Sequence, residues 1–269
     1  MKILQYETMT LEDLTFDAVE TVQVTKDGLD FYFRTHFKTD NRELVVFSNG
    51  AYDPSKSQLP TFNRYSWSEE IHANCLFVDD RSLHGNGLRL GWGVGTPDRH
   101  FIQDYSAIAL KFRELLNLDS AHTIYFGSSA GGYMSLLLAS LDNGSMALVN
   151  NPQTYVLRYH ESAVMKMLER LLEIDDKVEA NKQYGERLSV TSFFKKNGIP
   201  NVYYMQNIEC KSDFDNHFTP FVANLRKYKM NMSSIKYLMY HNKQQGHNPL
   251  GKEDTLKILN ETIEKKMPL

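Results

Sequence analysis

Cysteine is nearly absent from this chain: its 269 residues include two, Cys75 within an apolar run and Cys210 within a polar one. That pair is too few and too far apart for a disulfide framework, a C-x-x-C redox motif or a cysteine-rich zinc site, and predicts two free thiols in a reducing compartment. Excess charge of either sign is also missing. The formal net charge is -3 and the pI is near 6.3, so no basic field steers the protein to nucleic acid or to an anionic membrane. No segment approaches the ~20 consecutive apolar residues of a membrane span. The first sixteen residues carry Glu7, Glu12 and Asp13 where a signal peptide has its apolar core. Repeats, low-complexity tracts and Pro/Gly/Ser-rich linkers are lacking as well. These absences lead us to expect a cytoplasmic protein, one domain over residues 1–269, acting on a small-molecule or glycan substrate.

What is present is a globular composition, 42% hydrophobic and 23% charged. Val19 to Thr25 and Leu29 to His36 are β-rich runs separated by Lys26-Asp27-Gly28, where Asp-Gly supplies the positive φ of a tight turn, so the spacing predicts an antiparallel hairpin. Short apolar strands then alternate with amphipathic helices, the pattern of a mostly parallel sheet covered on both faces. Six strands are predicted: Leu44 to Ser48, Cys75 to Val78, Thr123 to Phe126, Ala147 to Asn150, Val202 to Gln206 and Ile235 to Tyr240. Phe101, Tyr105, Ile108, Phe112 and Leu115 recur at spacings of four and three and mark a sheet-packing helix; Leu256, Leu259 and Ile263 mark another. Residues 155–194 are charged and helix-forming without a strand-like run, and read as a helical cap inserted after the fourth of these strands.

The segment that carries chemistry is Thr123-Ile-Tyr-Phe-Gly127-Ser-Ser129-Ala-Gly131-Gly132, followed by Tyr-Met-Ser-Leu-Leu-Leu. A β-branched and aromatic run, then G-x-S-x-G, then a helix former is the strand–turn–helix of a nucleophile elbow, which lifts a serine clear of the sheet. Ser129 is the expected nucleophile; Ser128 lies one residue early and should point into the fold. The helix that follows aims its N-terminus at the serine, so the Ala130 amide is an expected oxyanion donor. A second donor is expected after the Leu44 to Ser48 strand, from Gly50 or Ala51 in Ser48-Asn49-Gly50-Ala51.

This order of elements predicts an α/β-hydrolase fold, in which a histidine follows the last strand and the acid precedes it in the chain. Gly246-His247-Asn248-Pro249 occupies that place, and His247 is preferred to His241, which ends the strand itself. An imidazole can take the serine proton and return it to the leaving group. The acid is open among Asp213, Asp215 and Glu209, in that order, on an expected loop of residues 208–218. Asp213-x-Asp215-x-His217 supplies too few oxygens for a hard cation, and the run from Gly85 to Gly95 is not flush with a strand and helix as a dinucleotide loop is. No metal and no cofactor is therefore expected. In that glycine-rich run Trp92 and Arg89, with His84 and His100 nearby, suit a substrate-contacting surface, as does Asn49.

Asn49-Gly50, Arg64-Tyr-Ser-Trp67, Cys75-Leu-Phe-Val-Asp-Asp80, Leu90-Gly91-Trp92-Gly93, the Gly127 to Gly132 elbow and Gly246-His247-Asn248-Pro249 together resemble the α/β-hydrolase-like proteins of bacterial capsule polysaccharide biosynthesis, the XcbB/CpsF type. That group is similar in turn to the acetyltransferase-like component of the accessory Sec secretion system, in which a Ser-acid-His triad modifies a glycan. The resemblance covers the chain from about Asn41 onward. It implies a serine esterase or O-acyltransferase taking an acyl group from a donor to a glycan or to water; the alternative is a non-catalytic binding or assembly component that keeps the fold.

Overall fold

The structure is a computed structural model and describes residues 1–265. Its centre is a nine-stranded sheet in the order β1-β2-β3-β5-β4-β6-β7-β8-β9. The strands are β1 (Lys2–Gln5), β2 (Ala18–Lys26), β3 (Leu29–Phe37), β4 (Leu44–Ser48), β5 (Asn74–Val78), β6 (Thr123–Ser129), β7 (Met146–Pro152), β8 (Asn201–Asn207) and β9 (Ile235–Tyr240). β3 alone runs against its neighbours; the remaining pairings are parallel. The expected hairpin is β2–β3, turning at Asp27 (φ 47°) and Gly28 (φ 76°). β1 was not foreseen: with four residues and one buried side chain it carries little periodic signal, and its place comes from pairing with β2.

Alternation along the strands sorts their side chains into two cores. Val46, Tyr125, Ala147, Val149, Val202 and Tyr204 face one layer; Val45, Phe47, Ile124, Phe126, Leu148 and Met205 face the other. The first layer holds α1 (Phe101–Leu115), α2 (Ala130–Leu141) and α5 (Val190–Asn197), and α7 (Thr219–Lys227) adds Phe221 and Leu225. The second is closed by α8 (Lys252–Ile263) through Leu256, Leu259 and Ile263, together with Phe62, Ile71 and Ala73 of the long β4–β5 connection.

The expected cap region, residues 155–194, holds α3 (Glu161–Met167), a π-helical turn over Leu168–Leu172 and α4 (Lys177–Leu188). A bridge between Tyr155 and Ser189, with Val190 N donating to Thr154 O at 3.0 Å, closes its neck. α5, within the same range, packs on α2 and α7 in the helical layer.

β4 lies between β5 and β6, so the connection after β4 runs one way along the sheet and the connection after β5 runs back across it. Such a reversal opens a crevice beyond the carboxyl ends of the strands. Ser129 ends β6 at that crevice.

Candidate active site

Ser129 stands between strand and helix with φ 56° and ψ −125°. A non-glycine residue held there is strained, and the surroundings must over-determine it. The neighbouring glycines do so. A Cβ at Gly127 would lie 2.3 Å from Gly131 O, and one at Gly131 would lie 2.4 Å from Ser48 O. Both approaches are closer than any side chain tolerates, so β6, the first turn of α2 and the loop after β4 meet backbone to backbone around the serine. Gly50 lies in that loop, its hypothetical Cβ 3.6 Å from Ser128 O. Ala130 is buried in the first turn of α2, whereas Ala51 is exposed.

Ser129 Oγ is 2.9 Å from His247 Nε2, and His247 Nδ1 is 2.6 Å from Asp213 Oδ2. A hydroxyl, an imidazole and a carboxylate thus form one hydrogen-bonded row. The other two carboxylates are engaged elsewhere: Asp215 pairs with Lys211 on the surface, and Glu209 lies 3.2 Å from His241 Nδ1, also exposed. Asp213 is not in a loop as expected. It belongs to α6 (Lys211–Asp213), which runs through a π-helical turn (Phe214–Phe218) into α7, so helical structure begins eight residues before the Thr219 start read from the sequence. Asp215 therefore points to the surface, whereas Asp213 and His217, one helical turn apart, both line a cavity beside His247. Cys210 Sγ, Asp213 and His247 do offer ligand atoms within 4.8 Å of one another, but the oxygen and nitrogen in that set already bond each other.

Three buried asparagines at strand ends hold the His247 loop, and the sequence reading missed them. Asn150 Oδ1 accepts from Leu250 N at 2.7 Å. Asn151 Nδ2 donates to His247 O at 3.2 Å and Asn248 O at 3.3 Å. Asn207 Nδ2 donates to Asn242 O at 2.7 Å and Gly246 O at 2.9 Å. Their signal was present: amides directly ending apolar strands are placed to satisfy loop carbonyls that the sheet no longer covers.

Two expected substrate contacts are corrected. Trp92 has no exposed surface; the loop folds inward, and the indole donates to Gln153 Oε1 at 2.6 Å. Asn49 is also buried, bonding Thr61 O through Nδ2 and accepting from Asn63 N at 2.8 Å. An indole and an amide that find internal partners stabilise the loop. Arg89 is exposed, with its carbonyl accepting from Tyr52 N at 2.8 Å. His84 pairs with Asp79 at 2.5 Å, and His100 is half-buried, its pKa pushed down to about 3 by desolvation and then by Arg187. Ser128 is buried and accepts from Arg64 Nη2 at 2.8 Å, so it is turned away from His247.

A cavity of about 240 Å³ opens beside His247 and Asp213, walled by Arg158, Tyr159, His160 and Asn216. Arg158, Tyr159 and His160, at the start of the expected cap region, therefore face the site. His217, also on this wall, has its pKa pushed down to about 4, chiefly by burial.

No protein-family profile and no curated protein matches the chain. Solved structures do match its fold. The capsule O-acetyltransferase of Neisseria meningitidis serogroup A, as a variant in complex with CoA, superposes with a TM-score of 0.66 at 14% identity, over 90% of this chain and 94% of that one. The Glycosylation Associate Protein (Gap123) complex from Streptococcus agalactiae gives 0.63 at 14%, over 92% of this chain and 46% of its own. Carboxyl esterase 2 of Tuber melanosporum gives 0.60 at 12%, over 97% and 90%. The chain has the α/β-hydrolase fold, and its structural neighbours include enzymes of acyl transfer and ester hydrolysis. Among the described residues no helix is long and apolar enough to cross a membrane.

Proposed function

We propose that this chain is a serine acyl-transfer enzyme, an O-acyltransferase or esterase, that works through an acyl-enzyme on a glycan of the capsule-polysaccharide type. The observation that carries the reading is the row Ser129 Oγ, His247 Nε2/Nδ1, Asp213 Oδ2, with spacings of 2.9 and 2.6 Å and the serine strained at φ 56°.

Ser129 Oγ attacks the acyl carbonyl as His247 Nε2 takes its proton; Asp213 orients the ring and stabilises the imidazolium. The oxyanion is met by the Ala130 amide and by that of Gly50 or Ala51. His247 returns its proton to the leaving group. A sugar hydroxyl or water, deprotonated by His247, then takes the acyl group, and Oγ recovers the proton. The glycan assignment draws on the sequence resemblance and on two structural neighbours, a capsule O-acetyltransferase and a glycosylation-associated complex; CoA in the former makes an acyl thioester the donor to try first.

The test is labelling with a fluorophosphonate probe. The wild-type protein should be labelled and Ser129→Ala should not. A folded wild-type protein that resists the probe overturns the reading in favour of a non-catalytic binding or assembly component.

A further inference from the structure

Gln153 follows β7 directly and is fully buried. Its backbone N–H donates to Ser129 O at 3.1 Å, and its side-chain Nε2 lies 2.9 Å from Ser129 Oγ. Which end of the amide faces the serine is decided by Trp92. An indole N–H can only donate, so the atom 2.6 Å from Trp92 Nε1 is Oε1, and the group facing Ser129 is the NH₂ donor. Tyr159, on the cavity wall, packs its ring edge-on to Trp92 at 5.8 Å and lies beside the same amide. Oγ thus gives its proton toward His247 while accepting a hydrogen bond from Gln153, away from water.

We propose that Gln153 is a further catalytic residue of the acyl transfer, donating to Ser129 Oγ as that oxygen gains negative charge. The inference rests on the reading of Ser129 as nucleophile. In acylation the Oγ–C bond forms while the Oγ proton passes to His247. In deacylation the acceptor oxygen bonds the carbonyl carbon and gives its proton to His247; the C–Oγ bond then breaks with its electron pair on Oγ, which takes the proton back. Oγ is most negative on either side of the bonded state, and a fixed, water-excluded N–H stabilises it there more than it stabilises the neutral hydroxyl.

The experiment compares wild type, Gln153→Leu and Gln153→Glu for the rate of fluorophosphonate labelling and for release of the acetyl-enzyme formed from p-nitrophenyl acetate, each against pH, with folding checked by circular dichroism. Losing a donor to a developing oxyanion costs up to 10²–10³ in rate, and a bond to the nucleophile itself should lower both steps by about 10- to 100-fold in the leucine variant. Gln153→Glu keeps the acceptor for Trp92 but loses the donor. It should be slowed at least as much, with a profile moved to higher pH because a carboxylate beside the row favours the imidazolium. A carboxylate there moves the profile whatever the native amide does, so the rate at each variant's own pH optimum decides: wild-type rates at the optimum of the folded glutamate variant overturn the proposal even if the leucine variant fails to fold. A wild type that is not labelled defeats the nucleophile reading and this inference with it; a labelled wild type with unaltered Gln153 variants defeats this inference alone.

Discussion

Asp213 Oδ2 and His247 Nδ1 approach to 2.6 Å across 34 residues of sequence, the carboxylate almost wholly covered and the imidazole open to the cavity. That asymmetry suits an acid that orients and a base that works: the buried partner is fixed by packing, and the exposed one can meet a substrate.

Asp213→Ala should reduce turnover of an ester substrate by roughly 10⁴, as loss of a triad acid typically does. Asp215→Ala and Glu209→Ala should stay within a few-fold of wild type, because their partners Lys211 and His241 lie on the surface. Steady-state kinetics on the three variants checks this; a dead Glu209→Ala beside an active Asp213→Ala would reassign the acid.

Asn207→Ala should be less stable by about 1–3 kcal/mol, since two loop carbonyls and the N–H groups of Asn242 and Glu209 lose a buried partner. Turnover should fall as well, because the same bonds place the His247 loop. Denaturant unfolding and kinetics on one sample test both; lost stability with unchanged turnover would refute the positioning role.

Trp92→Ala should destabilise the fold by about 3–5 kcal/mol, the usual result of emptying a large buried site. Arg89→Ala, at an exposed position, should change stability by less than about 0.5 kcal/mol. Equal effects in chemical denaturation would contradict the buried placement of Trp92.

Stability should fall in mild acid. His100 and His217 have folded pKa values pushed down to about 3 and about 4, burial being the first cause for each, while an unfolded histidine titrates near 6.5. Below that value the unfolded chain binds protons that the folded chain refuses, so each of these histidines removes up to about 1.4 kcal/mol per pH unit until its folded pKa is reached. Asp80 acts in the opposite sense. Burial raises it to about 6, so its contribution is present below the ordinary aspartate range and declines as pH rises to about 6. Two histidines outweigh one aspartate between pH 4 and 6. Denaturant midpoints measured from pH 4 to 7 should rise with pH, and less steeply in His100→Phe; an unchanged slope in that variant would rule out the His100 contribution.

Much of the architecture was legible because its causes are local. A strand–turn–helix signature with glycines at fixed offsets located the elbow, and alternation or 3.6-residue spacing located the six core strands and α1. Asp27-Gly28 marked the hairpin for the same reason: a turn is a property of neighbouring residues. The short edge strand β1 and the early helical start at Lys211 were not legible, because pairing with β2 and packing beside the site, rather than their own periodicity, define them.

The sequence by itself determined that a serine would stand on a strained turn at the end of a central strand and that a histidine loop would follow the last one, since steric contacts within a few residues impose both. Only the tertiary structure decided that Asp213 rather than Asp215 faces His247, that Trp92 turns inward, and that Gln153 meets Ser129 Oγ. Those outcomes depend on hydrogen bonds closing over 34, 61 and 24 residues. Asp215 lies two residues beyond Asp213, about 200° around the helix, so helical structure sends the two carboxylates to opposite sides.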